Sequence, residues 1–163
     1  MLLSKAELIA VLQNEIRILN HLCTKIEPSM LDYRPTAKQR STIELLRYLT
    51  MMGPILLPSI SAGTFLVDQW NAAEAKSATL DFPAVVAKLA AQSAFYASSI
   101  EAASEDELRA EVEMFGSTGS RTLHIINFLV AGHAAYRTQL FCYLKACGRE
   151  ELGTMNLWAG VDG

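Results

Sequence analysis

Cysteine is scarce in this sequence: only Cys23, Cys142 and Cys147 occur, and no two are spaced as C-x-x-C. An odd count without that spacing excludes a disulfide framework and a zinc knuckle, and reads as free thiols in a reducing cytoplasm. A nucleophilic cysteine needs an activating neighbour, and none stands beside these three. The chain also has no G-x-S-x-G, no P-loop, no G-x-G-x-x-G and no H-E-x-x-H. That removes the sequence signatures of α/β-hydrolases, P-loop NTPases, dinucleotide-binding folds and zinc proteases. Basic charge is thin: 14 Lys and Arg face 17 Asp and Glu, for a net charge of −3. The densest basic run is Lys38-Gln39-Arg40, too short for a nucleic-acid footprint. The opening MLLSKAEL reaches Lys5 and Glu7 too early for a signal peptide.

Charge is missing from one long stretch, YLTMMGPILLPSISAGTFLV, from Tyr48 to Val67. Its length would span a bilayer. Gly53, Pro54, Pro58 and Gly63 interrupt it, and prolines remove helix hydrogen bonds. It reads as a buried crossover and not as a membrane segment. Its surplus of apolar residues, including Ile55, Leu56, Leu57, Ile60, Phe65 and Leu66, is expected to leave a patch outside the bundle. Such a patch usually marks an interface, here a homodimer.

What is present is helical periodicity. Of the 163 residues, 51% are hydrophobic, enough for one domain with a substantial core. Ser4-x-x-Glu7 has capping-box spacing and opens a first helix carrying Leu8, Val11, Leu12, Ile16, Leu19 and Ile26. Pro28 follows it, and residues 28–40 form a connector. Ser41-x-x-Glu44 opens a second helix, expected to end or kink at Gly53-Pro54. The segment from there to about residue 80 is weakly patterned, with at most short helical turns. Asp81-Phe82-Pro83 then starts a third helix that runs to about Ala103. Ser104-x-x-Glu107 starts a short one, and AEVEMFGSTGSRT is a small hairpin or an ordered loop. The fourth long helix runs from near Ser120 to Gly148, a good C′ glycine. The tail carries Leu157 and Trp158, so it is expected to pack on the bundle. The sum is a single all-α domain over residues 1–163, a four-helix bundle. The long connection between the second and third helices is a crossover that lets those two run parallel.

Two segments, LDYRPTAKQRSTIELLRYL (31–49) and SRTLHIINFLVAGHAAYRTQLFCYLKACG (120–148), resemble the DinB-like bundle family. SEDELRAEVEMFG resembles that family's short helix and extended loop. The resemblance implies three histidines on a divalent metal such as zinc or nickel. One would lie late in the Ser-x-x-Glu-Leu-Leu helix and two lie four apart before Arg-x-Gln. It also implies, for some members, thiol-dependent transfer. Carried over, those positions are Tyr48, Gly132 and Tyr136, and none is histidine. His133 is one residue out of register, about 100° around a helix. Shifting the frame by one residue recovers His133 but places Arg137 four residues on, and a guanidinium does not ligate metal.

His133 falls on a stripe with Ile126, Val130, Arg137, Leu140 and Leu144. It reads either as a core-edge histidine bonded to a carbonyl or carboxylate, or as a ligand or base facing a pocket. His124 lies nine residues earlier, about half a turn out of phase on a straight helix. With His21, it reads as a structural histidine. Tyr48 and Tyr136 read as core tyrosines or as phenols lining a metal-free pocket, with Arg137 nearby for an anion. The expected protein is therefore cytoplasmic and free of metal and other cofactors. It binds a small ligand or acts as an interaction module at a cleft near Tyr48, His133, Tyr136 and Arg137. The competing reading is a divalent-metal-dependent transferase or hydrolase-like enzyme using His133.

Overall fold

The computed structural model describes residues 3–163, so Met1 and Leu2 at the start of MLLSKAEL lie outside it. Four long helical rods make the core. They are α1 (Lys5–Cys23), α2 (Thr42–Ala62), α4 (Phe82–Ala102) and a last rod. The last rod joins α6 (Arg121–His124), a π-helical turn (Ile125–Val130) and α7 (Ala131–Ala146). Between them lie α3 (Val67–Ser77), α5 (Glu105–Arg109) and a hairpin of β1 (Glu111–Met114) and β2 (Ser117–Ser120). The hairpin pairs Glu111 with Ser120 and Met114 with Ser117, which settles the choice between hairpin and loop.

The capping boxes at Ser4, Ser41 and Ser104 all form, each serine accepting from a backbone N–H three residues on. Asp81 caps α4 through the Ala84 N–H at 2.9 Å. Leu12, Leu22, Leu45, Leu46, Leu49 and Leu140 are fully buried, as the helical spacing requires.

Side-chain cross-links give the topology. Lys5 Nζ donates to the carbonyls of Glu101 and Ala103, so α1 and α4 are antiparallel. Arg47 bonds the Leu80 carbonyl near the start of α4, Gln92 bonds the Leu49 carbonyl, and Gly53 faces Tyr96. Rising number matches rising number, so α2 and α4 run parallel. Arg121 reaches the Ser61 carbonyl and Tyr143 reaches the Arg40 carbonyl, so the last rod is antiparallel to α2.

The crossover is not where the sequence suggested. α2 does not end at Gly53-Pro54 but continues through Pro54 and Pro58 to Ala62. Its second half buries Leu56, Leu57, Ser59 and Ile60 in the core. Tertiary packing therefore overrides the local cost of two missing N–H donors. The prolines are four residues apart and share one half-buried face. The helix stops at Gly63, whose φ of 68° suits a left-handed C-cap. The expected surplus of apolar surface outside the bundle is thus largely inside it. The rest of the crossover contains the 11-residue helix α3.

Gly53 has a second role. A Cβ built there would lie 1.7 Å from the Tyr96 hydroxyl, so only glycine lets that phenol reach the backbone of α2. Gly53→Ala is expected to destabilise the fold by about 3 kcal/mol in urea unfolding, the upper range for overpacking a core.

Candidate functional site

Tyr48 on α2 and Tyr136 on α7 do meet, with ring centroids 5.1 Å apart in an edge-to-face arrangement. Tyr48 also contacts Trp70 of α3 at 5.8 Å, and Trp70 contacts Phe65 at 5.4 Å. The Arg40 guanidinium sits 4.1 Å above the Tyr48 ring. Burial first, and Tyr136 second, push the Tyr48 phenol well above its ordinary pKa, so it stays protonated at neutral pH. A side chain at Gly132 would meet Met52, which fills the space beside it. Aromatic rings and a thioether thus occupy the region where the resemblance places a metal.

His133 is not on the rim of that cluster. It is 1% exposed and turns towards α4, where its Nε2 lies 2.7 Å from the Tyr96 hydroxyl. The network assigns the protons. Gln92 Nε2 donates to the Leu49 carbonyl at 2.8 Å, which leaves Gln92 Oε1 to accept from the Tyr96 O–H at 2.9 Å. The His133 Nε2–H then donates to the Tyr96 oxygen. His133 Nδ1 is left buried without a partner. Burial lowers the imidazole pKa to about 4, so the ring is neutral. The partner is thus a phenol, not the carbonyl or carboxylate that the sequence reading expected.

Arg137 is not available for an anion beside the tyrosines. It is buried and forms a two-pronged pair with Glu15 of α1, at 2.8 and 3.2 Å. Its Nη1 donates to the Leu157 carbonyl, and Trp158 of the tail lies over the guanidinium. The structure therefore brings Tyr48 and Tyr136 together and separates both from His133 and Arg137.

The π turn explains another departure. It inserts, in effect, one extra residue into the α-helical period. His124 and His133, half a turn apart on a straight α-helix, are both 1% exposed. His124 Nε2 lies 3.0 Å from the Val112 carbonyl, and its ring stacks on Phe128. His21 sits 3.1 Å from the Asn156 amide nitrogen. Among the described residues no three His, Cys, Asp or Glu side chains converge as a metal site.

Two open cavities flank α3; of the residues expected to line a pocket, Tyr48 lines the smaller one and none lines the larger. The smaller, about 390 Å³, lies between α2 and α3 and is lined by Arg40, Glu44, Arg47, Tyr48 and Glu74 among others. The larger, about 620 Å³, lies between α2, α3 and α4. Its walls include Met51, Pro54, Ile55, Leu80 and Phe95, with Lys76 and Lys88 its only charged groups. Met51 and Ser77 line both cavities, and Ser77 Oγ lies 3.7 Å from Met51 Sδ between them. The one sequence signal for the larger cavity is Gln92, a polar residue in phase with Leu89, Tyr96 and Ile100.

No family model matches the sequence, and no curated protein is similar to it. The structure is similar to the crystal structure of a DinB-like protein, YjoA, from Bacillus subtilis. The two share 16% sequence identity, the match covers 90% of this chain and 95% of that one, and the TM-score is 0.68. The fold is DinB-like. Within this DinB-like bundle, the α2–α7 seam carries the tyrosine pair and the α2–α4 seam carries the Gln92–Tyr96–His133 chain.

The lowered His133 pKa has a consequence for stability. The unfolded imidazole takes up its proton near the ordinary value of 6.5, and the folded one only near 4. The unfolded state therefore binds more protons between those values, and stability falls as pH is lowered through them. Between pH 7 and 5 the loss from this group is about 2 kcal/mol. Urea unfolding at the two pH values should show it, and His133→Gln should flatten that part of the dependence.

Proposed function

We propose that this DinB-like bundle is a small-molecule-binding protein that works without a three-histidine metal centre, with its ligand seated in the larger cavity beside α3. The observation that carries this reading is the cavity itself. Its 620 Å³ falls within the range of small-molecule sites, and its walls are mainly apolar with a few polar groups. It is also held in shape: Arg47 donates to the Leu80 carbonyl at 2.8 and 2.6 Å, fixing the α3–α4 turn.

The filling of the α2–α7 seam by Tyr48, Tyr136 and Met52 supports the metal-free half of the proposal. A metal-dependent transferase or hydrolase using His133 would need a ring nitrogen open to substrate. Here one nitrogen faces Tyr96 and the other is sealed in the core. Free thiols at Cys23, Cys142 and Cys147 accord with a cytoplasmic setting. Among the described residues, α2 is the one helix long and apolar enough to span a membrane, and 61% of its apolar window is buried in the bundle. A role in self-association is a separate proposal, now resting on exposed Phe115 and Leu123 near the hairpin instead of on α2.

Thermal-shift screening tests the binding reading. A ligand at about 100 times its dissociation constant should add about 2.7 kcal/mol to stability. Protein purified without a metal column and dialysed against a mild chelator should retain far less than one zinc, nickel or iron per chain. Retention of one ion, abolished by His133→Ala, would overturn the metal-free reading.

A further inference from the structure

We infer that the ligand of the cavity between α2, α3 and α4 is an amphipathic monoanion, an apolar chain or ring system ending in a carboxylate, with Lys76 and Lys88 holding the carboxylate. The inference rests on the binding reading above and adds the chemistry of the ligand. The chain as a whole is acidic, with net charge −3. The lining of this cavity departs from that balance: it contains Lys76 and Lys88 and no Asp or Glu. The neighbouring cavity, across the Ser77–Met51 contact, mixes Arg40 and Arg47 with Glu44 and Glu74.

The engagement of the lysines points the same way. Lys5 and Lys145 are tied to backbone carbonyls and Lys25 to Asp162, while Lys38 stands, among the described residues, unpaired on the exposed connector before α2 and lines neither cavity beside α3. Among the described residues, neither Lys76 nor Lys88 has an ion-pair or hydrogen-bond partner. They stand on different helices, Lys76 in the last turn of α3 and Lys88 in the second turn of α4. Both are solvent-exposed while Leu80 and Phe95 are half-buried, so the ammonium groups belong to the outer edge and the apolar groups to the wall. A ligand with charge at one end and hydrocarbon at the other matches that division. A neutral apolar ligand leaves the two cations unused, and a cationic one meets repulsion.

Calorimetric titration with decanoate, decanol and decyltrimethylammonium tests this, with the cavity-blocking variant Ala91→Trp as a control. Ala91 lines the cavity from an exposed position of α4, so the substitution is expected to keep the fold, which circular dichroism checks. Decanoate should bind about tenfold more tightly than decanol, as two partly screened ion pairs allow. Decyltrimethylammonium should bind most weakly. The double variant K76Q/K88Q should bring decanoate close to decanol, while K76R/K88R retains the preference. Raising salt to about 0.5 M should weaken decanoate and spare decanol. Ala91→Trp should abolish binding of both. Equal binding of decanoate and decanol, lost in Ala91→Trp, would overturn the anion inference and leave the cavity reading standing. Decanoate binding that survives Ala91→Trp would overturn both. Failure of all three compounds to bind would overturn the inference, and the wider ligand screen would then decide the binding reading.

Discussion

Three of the four core rods meet at the hydroxyl of Tyr96. The phenol stands on α4, bonds Gln92 on its own helix and His133 on α7, and lies against the bare backbone of α2 at Gly53. Gln92 extends the chain to the Leu49 carbonyl, so α2 is joined twice, by a hydrogen bond and by close approach. Such a chain inside an apolar core favours one arrangement of the helices through the bonds it makes, and it leaves His133 Nδ1 without a partner. The parallel setting of α2 and α4, unusual for neighbours in a bundle with short loops, is locked by this chain. The same parallel setting leaves α3 outside the core, and α3 forms one wall of each flanking cavity.

The bundle was legible because its signals are periodic and local. The capping boxes, the Asp81 cap and the leucine stripes placed the starts of the four rods, and the ends of all but α2, within a few residues. Two kinds of feature were hidden. The first is local cost overruled by packing: Pro54 and Pro58 read as breaks, yet burial of the second half of α2 holds the helix together. The second is partnership across the chain. Nothing near Arg137 shows that Glu15 neutralises it, although Glu15 sits in the apolar phase of Leu8, Leu12 and Leu19, where a charge needs a partner. Nothing near His133 names Tyr96. Lys76 and Lys88 carry no pattern at all in sequence, and share a cavity only because α3 folds against α4.

The two seams of the bundle divide their chemistry. The α2–α7 seam has Tyr48 and Tyr136 in edge contact, with Trp70 of α3 also in edge contact with Tyr48, a packing that contributes about 1 kcal/mol per pair beyond simple burial. The α2–α4 seam is polar at its centre and opens into an apolar cavity at its surface. The two seams lie on different sides of α2, so a fold of this kind can change its side-chain chemistry in one while the other keeps its packing.

The Glu15–Arg137 pair joins residues 122 positions apart. Glu15 is made 122 residues before its partner, so on the ribosome α1 must wait for α7 before its buried carboxylate can be neutralised. Closing so long a loop carries an entropic cost that local helix formation does not repay. The first helix can dock on α4 through Lys5 and Gln13 in the meantime. The fold therefore has a natural order of assembly, with the outer seam between the first and last rods sealed last. The tail residues Leu157 and Trp158 cover the Arg137 side of the pair.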